Sequence, residues 1–342
     1  MQVDTVLPLS ESVDSRSAAV AAENAGYAAV WTGEVKHDPF LAVGLAAVAT
    51  ESIELGTGIA VAFARSPMSM AVQANDLQLL SGGRLLLGLG SQIRAHITRR
   101  FSMPWSHPAP RMREYIMAMR AVWDCWNEGA KLNFRGDFYT HTLMTPFFDP
   151  GPNPHGAPAV LLAGVGDVMT AVAGEVADGF LCHGFTTERY LREITLPALE
   201  RGRAGRGLAG YEICGSPFIA TGRTEQEMND ARRGVREQIA FYGSTPAYRP
   251  VLELHGWGEL SDELHRLSLQ GGWKEMGDAI DESVLNAFAV VAEPGAVAAE
   301  LLRRYGDVMT RMTLYTPYAL GPDVLAQIVG DLRRAAPAGE DA

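Results

Sequence analysis

Two short apolar runs, residues 53–60 and 85–89, constrain this chain more than any other feature. Each is bounded by glycine, as strands buried on both faces of a parallel sheet are. Between them, residues 68–80 place Met68, Val72, Leu77 and Leu80 at helical spacing, and Gly82-Gly83 stops the helix. The stretch therefore reads as strand, loop, helix, turn, strand. Glycine at the carboxyl end of both strands permits close backbone approach to a ligand.

The same alternation runs along the chain. Strands are expected at 3–9, 27–32, 53–60, 85–89, 159–163, 179–182, 211–220 and 311–315. Helices are expected at 15–25, 39–50, 68–80, 111–127, 167–176, 187–203, 225–242, 283–291, 294–304 and 323–334. Residues 91–110 and 146–158 read as loops, and 132–140 as a hairpin turning at Arg135-Gly136-Asp137. Eight strands alternating with helices predict an α/β (β/α)8 TIM barrel with insertions. Residues 1–335 form its single domain. Residues 243–281 break the rhythm and read as an insertion partly covering the site, and 336–342 as a flexible tail. A doubly wound sheet would also alternate, but it would usually open with G-x-G-x-x-G after the first strand, where this chain has none.

The net charge of −11 argues against non-specific binding to nucleic acid or an anionic membrane. Cys125, Cys182 and Cys214 lie far apart, without metal-ligand or redox spacing, and read as buried thiols in a reducing compartment. No signal peptide and no span of membrane length is visible, so a cytoplasmic protein is expected. No metal site is expected.

In a barrel the site lies at the carboxyl ends of the strands. Those ends are rich in glycine and aromatics and poor in carboxylates, which suits a flat aromatic cofactor better than a metal or a carboxylate pair. Glu34 is either a buried general acid/base or a structural hydrogen-bonding carboxylate. His96 and His107, in the loop after strand four, either contact ligand or lie on the surface. Ser91 and Gln92 directly follow that strand and are binding candidates. Arg94, Arg99 and Arg100 read as a solvated rim or as partners of an anionic tail. Gly164-Val165-Gly166 precedes a helix, and is either an anion site or a tight turn.

The chain resembles the luciferase-like monooxygenase superfamily. The resemblance rests on Leu55-Gly56-Thr57-Gly58-Ile59, Arg65-Ser66-Pro67, Ser81-Gly82-Gly83-Arg84, Leu87-Gly88-Leu89-Gly90, Ala163-Gly164-Val165-Gly166 and Ala173-Gly174-Glu175-Val176-Ala177-Asp178-Gly179. The run from Gly90 to His96, with Phe101 to His107, is similar to the subgroup dependent on coenzyme F420. The resemblance implies F420 as cofactor, with FMN as the alternative. It implies a cis peptide at Gly58–Ile59 against the cofactor ring, and phosphate near Gly164, Val165, Gly166, His183 and Gly184. It also implies a homodimer acting on a small molecule. The expected function is hydride transfer with F420, with Glu34 or His96 handling the proton. The rivals are an FMN-dependent monooxygenase using oxygen and a non-catalytic flavin-binding protein. Where some F420-dependent members hold phosphate with lysine or arginine, this chain offers His183 and Asn286.

Overall fold

The computed structural model describes residues 1–7 and 14–335. Eight parallel strands close into a barrel: β1 (Gln2–Val6), β2 (Ala29–Thr32), β3 (Glu54–Thr57), β4 (Leu85–Gly90), β5 (Ala159–Gly164), β6 (Gly179–Cys182), β7 (Glu212–Gly215) and β8 (Arg311–Thr313). Closure is made where Gln2, Val3 and Asp4 of β1 pair with Arg311, Met312 and Thr313 of β8. The (β/α)8 expectation is met. The described first strand ends at Val6, and Pro8, Leu9 and the 336–342 tail lie outside the described residues.

Helices α1 (Ser15–Asn24), α2 (Pro39–Ala47), α3 (Pro67–Leu80), α4 (Pro108–Glu128), α5 (Asp167–Val176), α6 (188–203), α7 (Glu225–Gly243) and α8 (Pro322–Ala335) wrap the barrel. Their starts follow local chemistry. Asp38 accepts from the Phe40 and Leu41 amides ahead of α2, and Pro39 fills its first position. Thr187 caps α6 through the Tyr190 amide. Thr224 and Glu227 form a capping box on α7. No helix among the described residues is long and apolar enough to cross a membrane.

Inside the barrel sits an ion cluster that the sequence did not disclose. Arg311 is 2% exposed, and its Nε donates to Asp4 Oδ2 at 2.9 Å. Its Nη2 lies 2.6 Å from Glu54 Oε2, and Trp31 Nε1 donates to Asp4 Oδ2 at 2.9 Å. Two charges removed from water need partners on every side, and β1, β2, β3 and β8 each contribute one.

Three readings of strand and helix are corrected. Residues 53–60 are not one strand: β3 ends at Thr57, Gly58 and Ile59 interrupt it, and Ala60–Val61 then pairs separately with Leu89 and Gly90 of β4. Residues 211–220 are not one strand. β7 ends at Gly215, Ser216-Pro217 breaks it, and Phe218–Ala220 then pairs in parallel with Ala289–Val291 in a separate two-stranded sheet. Residues 283–291 are not one helix: Glu282–Phe288 is helical, and Ala289–Val291 is that sheet's second strand. The 91–110 segment also contains a short helical turn, His96–Arg100. The 132–140 hairpin forms, with Phe134 opposite His141, and Glu114 accepts from the amides of Asp137, Phe138 and Tyr139.

The insertion is helical at Arg249–Glu253, Gly258–Gln270 and Trp273–Asp278. With α7 and Glu282–Phe288 it builds a second apolar core, containing Val235, Ile239, Leu252, Leu264, Met276 and Phe288, apart from the larger core between barrel and helices. Phe185 and Tyr190, from the β6 end, belong to this second core.

Candidate active site

The site is organised around the backbone after β3. The Gly58–Ile59 bond is cis, as the resemblance implies. The Gly58 N–H donates to Thr32 O at 2.7 Å, and Ile59 O accepts from the Glu34 N–H at 3.0 Å, so the β2 end clamps both residues. Gly58 is exposed and Ile59 half-buried. Glycines make this packing possible. A Cβ on Gly88 would lie 1.9 Å from Thr57 O, one on Gly56 2.2 Å from the Trp31 ring, and one on Gly90 2.9 Å from Ile59 Cδ1. The mouth between β3 and β4 is thus lined by main chain and the Ile59 side chain.

Glu34 does not stand free. Its Oε2 accepts from the Val61 N–H at 2.8 Å and pairs with Arg65 at 2.7 Å, and Arg65 also holds Asp38 at 3.0 Å. The Glu34 side chain is 7% exposed. This geometry favours the structural alternative: the carboxylate fastens the segment after the cis bond. Neither partner was legible from the sequence, because Val61 and Arg65 lie about one βα unit away.

Ser91 and Gln92 follow β4 at the mouth. Gln92 has φ +59°, and its Oε1 accepts from the Ile93 N–H at 3.0 Å, a local turn that bends the chain away from the strand. His96 opens the short helical turn and is exposed. Arg100 donates to Val35 O at 2.6 Å, tying this loop to the one after β2. At its far end, Arg111 donates to Pro104 O at 2.8 Å and lies 4.3 Å above the Phe63 ring. His107 is exposed, precedes α4 and packs near Phe138.

On the opposite side, Gly164, Val165 and Gly166 lead into α5. No side chain caps that helix, and a Cβ on Gly166 would meet nothing within 4 Å. The first amides of a helix have no intrahelical acceptor, so these donors face open space. Asp167 is held by Arg201 at 2.6 Å, and Val165 O accepts from Tyr190 at 3.1 Å.

His183 follows β6. The Phe185 N–H donates to its Nδ1 at 3.0 Å, which leaves Nε2 to donate to Tyr248 Oη at 3.3 Å. Burial pulls its pKa down to about 4, so the ring is neutral. Tyr242 stands edge-on to it at 4.8 Å and shares a 3.2 Å hydroxyl contact with Tyr315, which stacks on Phe218. Burial raises the pKa of Tyr248 to about 12. A Cβ on Gly184 would lie 3.0 Å from Ser216 O and 3.2 Å from Tyr315 Cδ1. The insertion therefore reaches the site through Tyr248, a residue the sequence reading did not single out. Its only signal was the aromatic and proline content of 243–281.

A pH dependence follows. Because the folded pKa of His183 lies below its ordinary 6.5, the folded protein binds fewer protons than the unfolded chain between these values. Its contribution is full above pH 6.5 and declines as pH falls toward 4. The melting temperature of the wild type minus that of His183→Gln is expected to shrink steadily over that interval.

The luciferase-like monooxygenase model matches residues 12–311. An uncharacterised protein of Mycobacterium tuberculosis is 51% identical over 314 residues, 91% of this chain and 92% of that one. A putative coenzyme F420-dependent oxidoreductase of the same organism is 25% identical, covering 80% of this chain and 82% of its own. The structure of coenzyme F420-dependent tetrahydromethanopterin reductase from Methanopyrus kandleri superposes with a TM-score of 0.77 at 21% identity, over 96% of this chain and 97% of that one. The motifs after β3 and β4, the closed barrel and the match over most of the chain agree, and the chain belongs to the luciferase-like monooxygenase family.

Proposed function

We propose that this protein is an F420-dependent oxidoreductase that exchanges a hydride with a small organic substrate. The observation that carries this reading is the mouth between β3 and β4. There exposed Gly58 and half-buried Ile59, the latter packed on side-chain-free Gly90, offer a flat seat for a planar ring. The F420-dependent relative supports the choice of cofactor.

In this reading Gly58, Ile59, Gly90, Ser91 and Gln92 border the ring. The open amides around Gly164, Val165 and Gly166 receive phosphate, with His183 and Gly184 beside them. His183 is neutral, so the anion rests on main-chain donors rather than on a formal charge. When bound, the deazaflavin supplies the hydride chemistry, and the protein supplies orientation and electrostatics. Glu34 acts as a positioning residue, holding Val61 and Arg65. Proton handling falls to exposed His96.

Fluorescence titration is expected to show micromolar binding of F420 and weak binding of FMN. Tight FMN binding without F420 binding, with oxygen consumed by the reduced complex, would establish the monooxygenase alternative. Absence of binding by either would leave a non-catalytic member that has lost its cofactor.

The exposed side chains of Leu41, Leu45 and Val48, with Val72, Leu79 and Leu80 of neighbouring α3, form an apolar face that supports a homodimer. Leu41→Glu with Leu45→Glu is expected to yield a monomer by light scattering. An unchanged mass would remove this face from the assembly.

A further inference from the structure

The loop after β4 stands out from the rest of the chain in charge. Residues 77–113 contain no Asp or Glu, although the protein carries a net charge of −11. Within that stretch Arg94 and Arg99 are exposed. Among the described residues, no ion pair or side-chain hydrogen bond engages either guanidinium. Several other exposed arginines find acids one helical turn away, as Arg189 does with Glu193 and Arg249 with Glu253. Arg100 donates to the Val35 carbonyl and lies 4.9 Å over the Phe101 ring, but among the described residues no acid pairs with it, so its charge is not neutralised, and exposed Lys36 follows Val35 in the chain. The two carboxylates of the facing loop, Glu34 and Asp38, are both taken by Arg65. Arg94 lies four residues past Gly90, so its Cα is within about 14 Å of the strand end.

We infer that Arg94, Arg99, Arg100 and Lys36 form an anion-recognition rim at the barrel mouth, for a ligand portion carrying two or more negative charges as phosphate or carboxylate. Uncompensated cations on two loops joined by the Arg100–Val35 contact repel one another, and an incoming polyanion relieves that repulsion. Such a patch also concentrates anionic ligands beside the site. The inference deepens the F420 reading only in placing this group next to the redox ring. The charge can belong to the acidic portion of the cofactor or to the substrate, and the two sources separate experimentally.

The probe is inorganic tripolyphosphate, titrated calorimetrically into the full-length protein at low salt. The wild type is expected to bind it, with affinity falling steeply as salt rises. Arg94→Gln with Arg99→Gln is expected to weaken binding by about tenfold or more. Arg16→Gln with Arg135→Gln, which removes the same charge elsewhere on the surface, is expected to leave binding unchanged. Competition between tripolyphosphate and F420 assigns the anion to the cofactor; simultaneous binding assigns it to the substrate. No binding by the wild type, equal binding by the Arg94/Arg99 variant, or equal loss in the Arg16/Arg135 control overturns the inference. None of these outcomes requires F420 to bind, so the rim and the cofactor assignment fail separately.

Discussion

Arg311→Met is expected to destabilise the protein by about 3–5 kcal/mol, because it leaves a buried carboxylate without its cation. Asp4 would keep only the 2.9 Å bond from Trp31 Nε1, at a position where its side chain is 1% exposed. Glu54 would suffer less, since its side chain is 35% exposed and water can replace the lost partner. Adding Asp4→Asn removes the stranded charge while keeping an acceptor for Trp31. The double variant is therefore expected to recover most of the loss, and a double-mutant cycle in urea measures the coupling directly. Additive losses would show that the cluster acts as separate contacts rather than as one pair. The melting curves should shift without change in the cofactor titration, because Glu54 and Arg311 begin β3 and β8 whereas the Gly58 mouth follows the opposite ends of the strands.

Gly88→Ala is expected to affect stability and binding together. The new Cβ would lie 1.9 Å from Thr57 O and 2.6 Å from Leu181 Cδ1. Leu181 can rotate away. The carbonyl cannot move without displacing β3, and the next residue in the chain is Gly58. Overpacking of this kind costs about 1–3 kcal/mol, occasionally more. Here the strain is directed into the proposed ring seat, so F420 affinity is expected to fall by about tenfold or more, roughly 1.4 kcal/mol. Gly166→Ala is the control for stability. Gly166 has φ −83°, and its Cβ would meet nothing within 4 Å, so that variant should melt like the wild type. Wild-type stability and full F420 affinity in Gly88→Ala would show that the approach of β3 to β4 is looser than the structure indicates.

The barrel was legible because its strands are short apolar runs punctuated by glycine, and that signal is local. The position of Gly58–Ile59 was legible too, through the motif resemblance. What the sequence concealed depends on contacts between distant residues. Ala289–Val291 continues an apolar stretch from Val284 and Leu285, so helical periodicity hides it, and only pairing with Phe218–Ala220 makes it a strand. Pro217 did mark the break in the 211–220 run, since proline rarely sits within a central strand. Glu34 carried two open readings because nothing in its own neighbourhood announces Arg65. The Asp4–Arg311 pair joins the first and last strands, a closure that charge patterning along the chain cannot show.

The division into two apolar cores has a consequence for motion. Cooperative opening follows contiguous packed units, and here the boundary between units runs past His183, with Cys182 of β6 on one side and Phe185 and Tyr248 on the other. The helical layer of α7, the insertion and Glu282–Phe288 can loosen as a shutter while the strand ring keeps its hydrogen bonds. Admission of a bulky guest at that edge then requires only the parting of a few aromatic contacts, and amide exchange should be faster throughout 243–281 than in β1 to β6.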